Sequence, residues 1–67
     1  MSNVARVTEI SARSEKSFDD AMRTGLQRAT KTLRNVEGAW IKEQKVTVEG
    51  GKIASYRVDL KVTFVLD

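Results

Sequence analysis

Residues 38–66 read GAWIKEQKVTVEGGKIASYRVDLKVTFVL, and this stretch decides the fold. Along residues 54–66 every second side chain is apolar, and nearly all of the side chains between them are polar. A period of two is typical of a β-strand with one buried face. The Gly50-Gly51 pair can adopt the positive φ angles of a two-residue turn, so we place the reversal there and pair Glu49 with Lys52.

The turn fixes the register of the predicted hairpin. The face that we assign to the core holds two predicted pairs, Ile41 with Leu60 and Ala39 with Val62. The opposite face holds four predicted pairs, Trp40 with Lys61, Lys42 with Asp59, Gln44 with Arg57, and Val46 with Ser55.

Trp40 is the only tryptophan, and this register places it on the polar face of the hairpin. A solvated monomer has no reason to expose a large ring there. A register slipped by one residue would return the ring to the core, because such a slip exchanges the two faces of a strand. The other interpretation is that another subunit, a ligand or both cover the Trp40 face.

The chain of 67 residues is expected to form one domain, residues 1–67. A domain of this size buries only about 60% of the surface that its unfolded chain exposes, so its core is small. Because the chain has neither cysteine nor histidine, disulfides and a conventional zinc site are not available to compensate. Association with other copies is the remaining route to stability.

The apolar runs are far shorter than the roughly 20 residues of a transmembrane helix, and the N-terminus lacks the apolar segment of a signal peptide. We therefore expect a soluble, cytoplasmic protein with no membrane partner. The net charge of +3 combines twelve basic with nine acidic residues. Such a mild and interspersed excess does not favour nucleic acid as a partner.

A strand and a helix are predicted before the hairpin. Val4–Ser11, with the sequence VARVTEIS, is rich in the β-branched side chains of strands. Ser14 is the predicted N-cap of the helix, and Asn35 can end it in the left-handed conformation. Gly25 is expected to permit close approach of the helix to the sheet. The apolar face of the helix consists of Phe18, Met22, Gly25, Leu26, Ala29 and Leu33.

These elements predict an α+β fold with the order β-α-β-β. The helix sets the second strand parallel to the first, and the hairpin makes the third strand antiparallel to both. The third strand can therefore lie in the centre of a three-stranded antiparallel sheet, order 1-3-2, with a right-handed crossover. One helix covers the face of Val58 and Leu60, which leaves the Trp40 face open and two strand edges unpaired.

Four segments together resemble the dodecins, and they cover nearly the whole chain. They are the strand VARVTEIS, the serine-led helix SEKSFDDAMRTGLQRATKTLRN, the Gly50-Gly51 hairpin and the closing strand YRVDLKVTF. Dodecins are small bacterial and archaeal proteins that form hollow homododecamers and, in many members, bind flavins. The resemblance implies that the sheets line the interior of such a shell and that the helices face outward.

The resemblance also implies a candidate flavin site. In flavin-binding dodecins a tryptophan at the start of the second strand stacks on the isoalloxazine ring, and a glutamine of the third strand bonds its polar edge. Those positions fall on Gly38 and Arg57 in this sequence, and neither residue matches. Trp40 lies two positions on, hence on the same face, and Gln44 is predicted opposite Arg57. With Lys45, these residues are the candidate cofactor-binding set.

The departures from the usual flavin residues leave alternatives open. Arg57 and Lys61 place cations where a neutral ring edge would bind, although they would suit the phosphate of FMN. Glu43-Gln44 followed by Tyr56-Arg57 looks more like a dodecin subgroup with another ligand, such as a metal ion whose protein ligands are unknown. A third interpretation buries Trp40 between subunits with nothing bound.

No pairing of a nucleophile with a base is present, so we expect no enzymatic activity. Asp19 and Asp20 are expected to serve the helix dipole rather than to bind calcium, because hard-cation sites need about six or more oxygens.

Three hypotheses follow for function. The leading one is a dodecamer that sequesters or stores flavin, FMN or riboflavin, against Trp40. The second is a flavin-free shell that holds metal ions or another small ligand, or that packs with none. The third is a nucleic-acid-binding module that uses Lys42, Arg57 and Lys61.

Overall fold

The computed structural model describes residues 3–66. It contains four elements, β1 (Ala5–Ser14), α1 (Phe18–Thr32), β2 (Val36–Glu49) and β3 (Lys52–Val65). The strands form one sheet in the order β1-β3-β2, and both outer strands run antiparallel to β3. The predicted β-α-β-β fold and the central position of the third strand are confirmed.

The helix begins later than predicted. Its N-cap is Ser17, whose Oγ accepts a hydrogen bond from the backbone N–H of Asp20 at 3.0 Å. Ser14 instead ends β1 opposite Tyr56, and its hydroxyl donates to Oδ2 of Asp20 and accepts from the backbone N–H of Lys16. Ser14 as the N-cap was therefore wrong, because this serine still belongs to the β1–β3 ladder.

The end of the helix also differs in part from the prediction. The helix ends at Thr32, and Leu33 is its C-cap in an extended conformation. Asn35 has the expected positive φ, 60°, but it lies just before β2 rather than at the helix terminus. Its left-handed conformation therefore turns the chain into the second strand.

The core lies between α1 and the middle of the sheet. Gly25 stands at the closest approach, since a Cβ added there would be 3.0 Å from Cβ of Ala12 and 3.3 Å from Cδ1 of Leu60. This confirms the role predicted for the glycine. Three alternate side chains of β3 are fully buried and form the core with Ala21 of the helix, namely Val58, Leu60 and Val62.

The strand β2 lies beside this core rather than within it. The helix packs on β1 and β3, and every residue of β2 after Val36 is exposed. The hairpin therefore carries apolar side chains that nothing in the single chain covers. We call four of them the hairpin patch, namely Ile41, Val46, Val48 and Ile53.

The predicted turn and the register at both ends of the hairpin are confirmed. Gly50 and Gly51 have φ values of 58° and 77°, and Glu49 pairs with Lys52. Far from the turn, Trp40 pairs with Lys61, as predicted. Ile41 with Leu60 and Ala39 with Val62 are likewise paired.

The middle of the hairpin has a different register. A β-bulge between Ile41 and Glu43 leaves Lys42 without a partner on β3, and a second irregularity between Thr47 and Val48 restores the register near the turn. A bulge of this kind inserts one extra residue, so the side chains beyond it change faces relative to the prediction. Three predicted pairs are therefore wrong, namely Lys42 with Asp59, Gln44 with Arg57, and Val46 with Ser55.

Candidate functional site

Trp40 projects from the side of the sheet that faces away from the helix. Its partner Lys61 alternates with the buried Leu60 and Val62, which point toward the helix. The indole is 52% exposed although it is the largest side chain of the chain. A slipped register that returns Trp40 to the core is thus ruled out, and we call this side of the sheet the Trp40 face.

A carboxylate on β1 forms ion pairs with both lysines beside Trp40. Glu9 pairs with Lys61 across the β1–β3 ladder, and its Oε1 lies 3.0 Å from Nζ of Lys61. The same Oε1 lies 3.4 Å from Nζ of Lys42, which the bulge directs to this face. Hydrogen bonds from Lys61 and Lys42 hold the pKa of Glu9 below its ordinary value. Both lysines near the indole are therefore engaged within the chain.

A second polar network lies further along the Trp40 face, toward the turn. Asp59 is only 7% exposed, and its Oδ1 accepts from the hydroxyl of Ser11 at 2.8 Å. The Nε of Arg57 donates to that hydroxyl at 2.8 Å and to Asp59 at 3.3 Å. Nζ of Lys45 lies 3.9 Å from Asp59 and 3.6 Å from Glu43. Asp59 thus fixes the position of Arg57 on the sheet.

The charge of Asp59 is favoured by its surroundings. The hydrogen bond from Ser11, followed by the positive charges of Arg57 and Lys45, holds the pKa of the Asp59 carboxyl below its ordinary value although burial opposes this. The folded chain therefore binds protons at Asp59 less readily than the unfolded chain does. In consequence, this carboxylate contributes stability above its unfolded pKa and loses it as the pH falls.

We predict that Asp59→Asn makes the free energy of unfolding less dependent on pH between about pH 5 and pH 3, where an unfolded aspartate titrates. Wild-type protein should lose stability across that range in urea unfolding at a fixed protein concentration. Glu37→Gln, which removes an exposed carboxylate from β2, is the control. Its free energy of unfolding should depend on pH as strongly as that of the wild type. Equal slopes for Asp59→Asn and wild type would show that the network does not stabilise the fold.

The structure brings most of the predicted site residues to one face. Trp40 and Arg57 lie on the Trp40 face, as does Gly38, which is opposite Thr63. Lys45 lies there too, because the bulge sets it opposite Arg57. Gln44 is instead opposite Val58 on the helix side, so its predicted place beside Arg57 was wrong.

Sequence reasoning did not place Glu9 and Ser11 on this face, and it placed Asp59 there opposite Lys42 rather than beside Ser11. The alternation of β1 could have assigned the first two residues to one side of the strand. Their partners on β3 depend on the β1–β3 register, which the sequence did not specify.

A cavity lies outside the Trp40 face. A groove of about 390 Å³ runs between α1 and β1 and is lined by residues that include Ile10, Gly25 and Leu33.

Within residues 3–66 no group of three or more acidic, histidine or cysteine side chains is arranged to hold a metal ion. Across the same residues, no helix has the length and apolar character to cross a membrane.

The fold and this face can now be compared with known proteins. A family model described as Dodecin matches residues 4–67. The chain belongs to the dodecin family. A curated dodecin of Thermus thermophilus is 33% identical over 67 residues, which are 100% of this chain and 97% of that protein.

Solved dodecins have the same architecture. The dodecin from Streptomyces davaonensis superposes with a TM-score of 0.93 at 36% identity, covering 100% of this chain and 98% of that one. A calcium dodecin from Mycobacterium tuberculosis, described as having a novel calcium-binding site, gives a TM-score of 0.82 at 32% identity, with coverage of 96% and 91%. Family and fold together support a small ligand-binding protein.

Proposed function

We propose that this dodecin is a non-enzymatic homododecamer that binds and stores a flavin, FMN or riboflavin, against Trp40. The observation that carries the proposal is the half-exposed indole on the open face of the sheet. Exposing a ring of this size to water has a cost, and a planar aromatic ligand stacked on it removes that cost.

Stacking on the indole would also protect the stored flavin from photochemical reactions. An indole in contact with an excited isoalloxazine ring can quench it by electron transfer, which limits the photochemistry of the bound flavin. Glu9 offsets one of the two positive charges of the neighbouring Lys61 and Lys42, so the ring would meet a less positive surface beside the indole. Such a surface suits an uncharged ring system better than two free ammonium groups would.

Assembly completes the site in this proposal. The Trp40 face is open, so a ring that stacks on one chain would leave its other side in water. A neighbouring copy of the chain can cover that side, and other copies can cover the hairpin patch on β2 and β3. Both needs point to association of identical chains, in line with the size of the domain.

The described residues do not favour a shell that holds metal ions. The calcium dodecin is a structural neighbour, but residues 3–66 of this chain provide no cluster of acidic ligands. Hard cations such as calcium need about six or more oxygen ligands.

Titration of flavin with purified apoprotein tests the proposal. We expect the fluorescence of FMN or riboflavin to fall to a saturating plateau at micromolar protein. N-acetyltryptophanamide at the same concentration controls for collisional quenching by free indole and should have little effect. Unchanged fluorescence of both flavins in the presence of assembled protein would refute flavin binding.

A further inference from the structure

The strand β1 forms an edge of the sheet, since it pairs with β3 on one side only. The backbone N–H of Leu66 donates to the carbonyl of Val4 at 2.9 Å, so these two residues form a hydrogen-bonded pair. Such pairs alternate along an antiparallel ladder, and Val7, Glu9 and Ser11 therefore direct their backbone groups away from β3. The strand contains no proline, and its pairing with β3 is regular. This edge can accept a further strand.

The groove between α1 and β1 runs along this edge on the helix side of the sheet. Its lining is mainly apolar and includes Ile10 of β1, Ala29 of α1 and Leu33 at the end of the helix. Its volume of about 390 Å³ is within the range of roughly 300–1,000 Å³ that is typical of ligand sites. A strand added to β1 would place every second side chain against this lining, so those side chains should be apolar.

A cation without a counter-charge lies in the wall of the groove. Arg28 of α1 lines it and is exposed, and it forms no ion pair with the residues that the structure describes. None of the lining residues is acidic, and the sequence from 21 to 36 contains basic residues but no acidic one. The helix dipole accounts for Lys31 in the last turn, but Arg28 precedes that turn. The groove thus favours a ligand that adds a carboxylate to its apolar groups.

We propose that this groove binds an extended peptide segment of a partner protein, which joins the sheet as a strand beside β1. Its apolar side chains contact Ile10 and Leu33, and an acidic side chain pairs with Arg28. In this mode of recognition main-chain hydrogen bonds give affinity, and pockets for alternate side chains give specificity. The groove lies on the opposite side of the sheet from the Trp40 face, so the proposal does not depend on flavin binding.

Two other occupants fit the groove less well than an acidic and apolar peptide. A second copy of β1 would present Arg6, Thr8 and Ile10 on the helix side of the sheet. That set brings a cation to a groove that already has an unpaired one. Nucleic acid supplies negative charge, but it has neither apolar side chains for the groove nor a backbone that can pair with β1.

A fluorescein-labelled peptide with the sequence DTVTVTD tests the proposal by fluorescence anisotropy. The order of its residues is the same from either end, so both directions of the added strand place valines in the groove and a carboxylate near Arg28. Saturable binding to wild-type protein is expected. Arg28→Gln should weaken it about tenfold, the loss expected for one charge-assisted hydrogen bond. Arg23→Gln is the matched control on the same helix, since Arg23 pairs with Asp19 instead, and it should retain wild-type affinity.

Two further comparisons separate the groove and the strand edge from the charge. Thr32→Trp fills the groove from an exposed position and should block the peptide, whereas Thr30→Trp, which lies outside the lining, should not. The peptide DPVPVPD keeps the valines and both carboxylates but replaces three backbone N–H donors by proline, so it should not bind.

The opposite results would overturn the proposal. They are no saturable binding to wild-type protein, equal affinity in Arg28→Gln or Thr32→Trp, or equal affinity for the proline peptide. Labelled duplex DNA that binds in place of the peptide, and that loses affinity in Arg28→Gln, would assign the groove to nucleic acid instead. Light scattering of Thr32→Trp should give the chain number of the wild type, and a smaller assembly would show that a second copy occupies the groove.

Discussion

Replacement of Trp40 by alanine is expected to weaken flavin binding by about 10- to 100-fold, the range found when an aromatic stacking partner is removed from a bound base. The indole is half exposed and makes little contact with the core, so the variant should fold as the wild type does. The loss of affinity would then report on the stacking contact itself. Fluorescence titration with riboflavin measures it without any contribution from a phosphate.

Trp40→Phe is the matched control for this experiment. Phenylalanine retains an aromatic surface of smaller area, so it should recover a large part of the affinity that alanine loses. Both variants should assemble into the same number of chains as the wild type. Wild-type affinity in Trp40→Ala would contradict the assignment of Trp40 as the stacking platform.

Val48→Glu is expected to prevent assembly of the dodecamer. Val48 belongs to the hairpin patch, is 59% exposed in the single chain and pairs with Ile53, which is 53% exposed. In our proposal neighbouring chains bury this patch. A carboxylate placed there without a partner costs several kcal/mol at each interface, and the symmetry of the assembly repeats that cost in every copy.

Size-exclusion chromatography with light scattering measures the result. Val48→Glu should elute as a small species with near-native circular dichroism, because the substituted side chain lies outside the core. Thr30→Glu is the control, since it adds the same charge on the exposed surface of α1. A full-sized assembly of Val48→Glu would show that the hairpin patch is not buried between chains.

The fold was predictable because its strongest patterns are local. The alternation of β3 and the Gly50-Gly51 pair were enough to set the turn and the pairing of Trp40 with Lys61. The sequence also encodes the start of the helix, although the prediction chose Ser14 instead of Ser17 as the N-cap. Ser17 is followed three residues later by Asp20, in the spacing of a capping box, and that pattern favours Ser17.

The β-bulge at Lys42 could not be predicted from the sequence. Glycine often marks the position of a bulge, but neither Lys42 nor either of its neighbours in the sequence is a glycine. The second irregularity near Thr47 compensates for the bulge, so the turn and the Trp40 end agree with a regular hairpin while the middle does not. For this reason Gln44 lies on the helix side of the sheet and Lys45 on the Trp40 face. Gln44 is therefore the one predicted site residue that does not lie on the Trp40 face.

The polar network around Asp59 could not be predicted from the sequence for a different reason. Asp59 acquires its role from Ser11 on β1, 48 positions away in the chain. Only the β1–β3 register brings these side chains together, and that register depends on how the helix returns the chain to the sheet. The same register sets Arg13 opposite Arg57, a pairing that the sequence did not specify either.

Native mass spectrometry of the protein mixed with FMN tests the central claim most directly, since it reports chain number and bound ligand in one spectrum. We predict a dodecamer whose mass increases by whole FMN units, and Trp40→Ala should give the same dodecamer with little or no added mass. A wild-type monomer, or a wild-type dodecamer that takes up no FMN, would contradict the account.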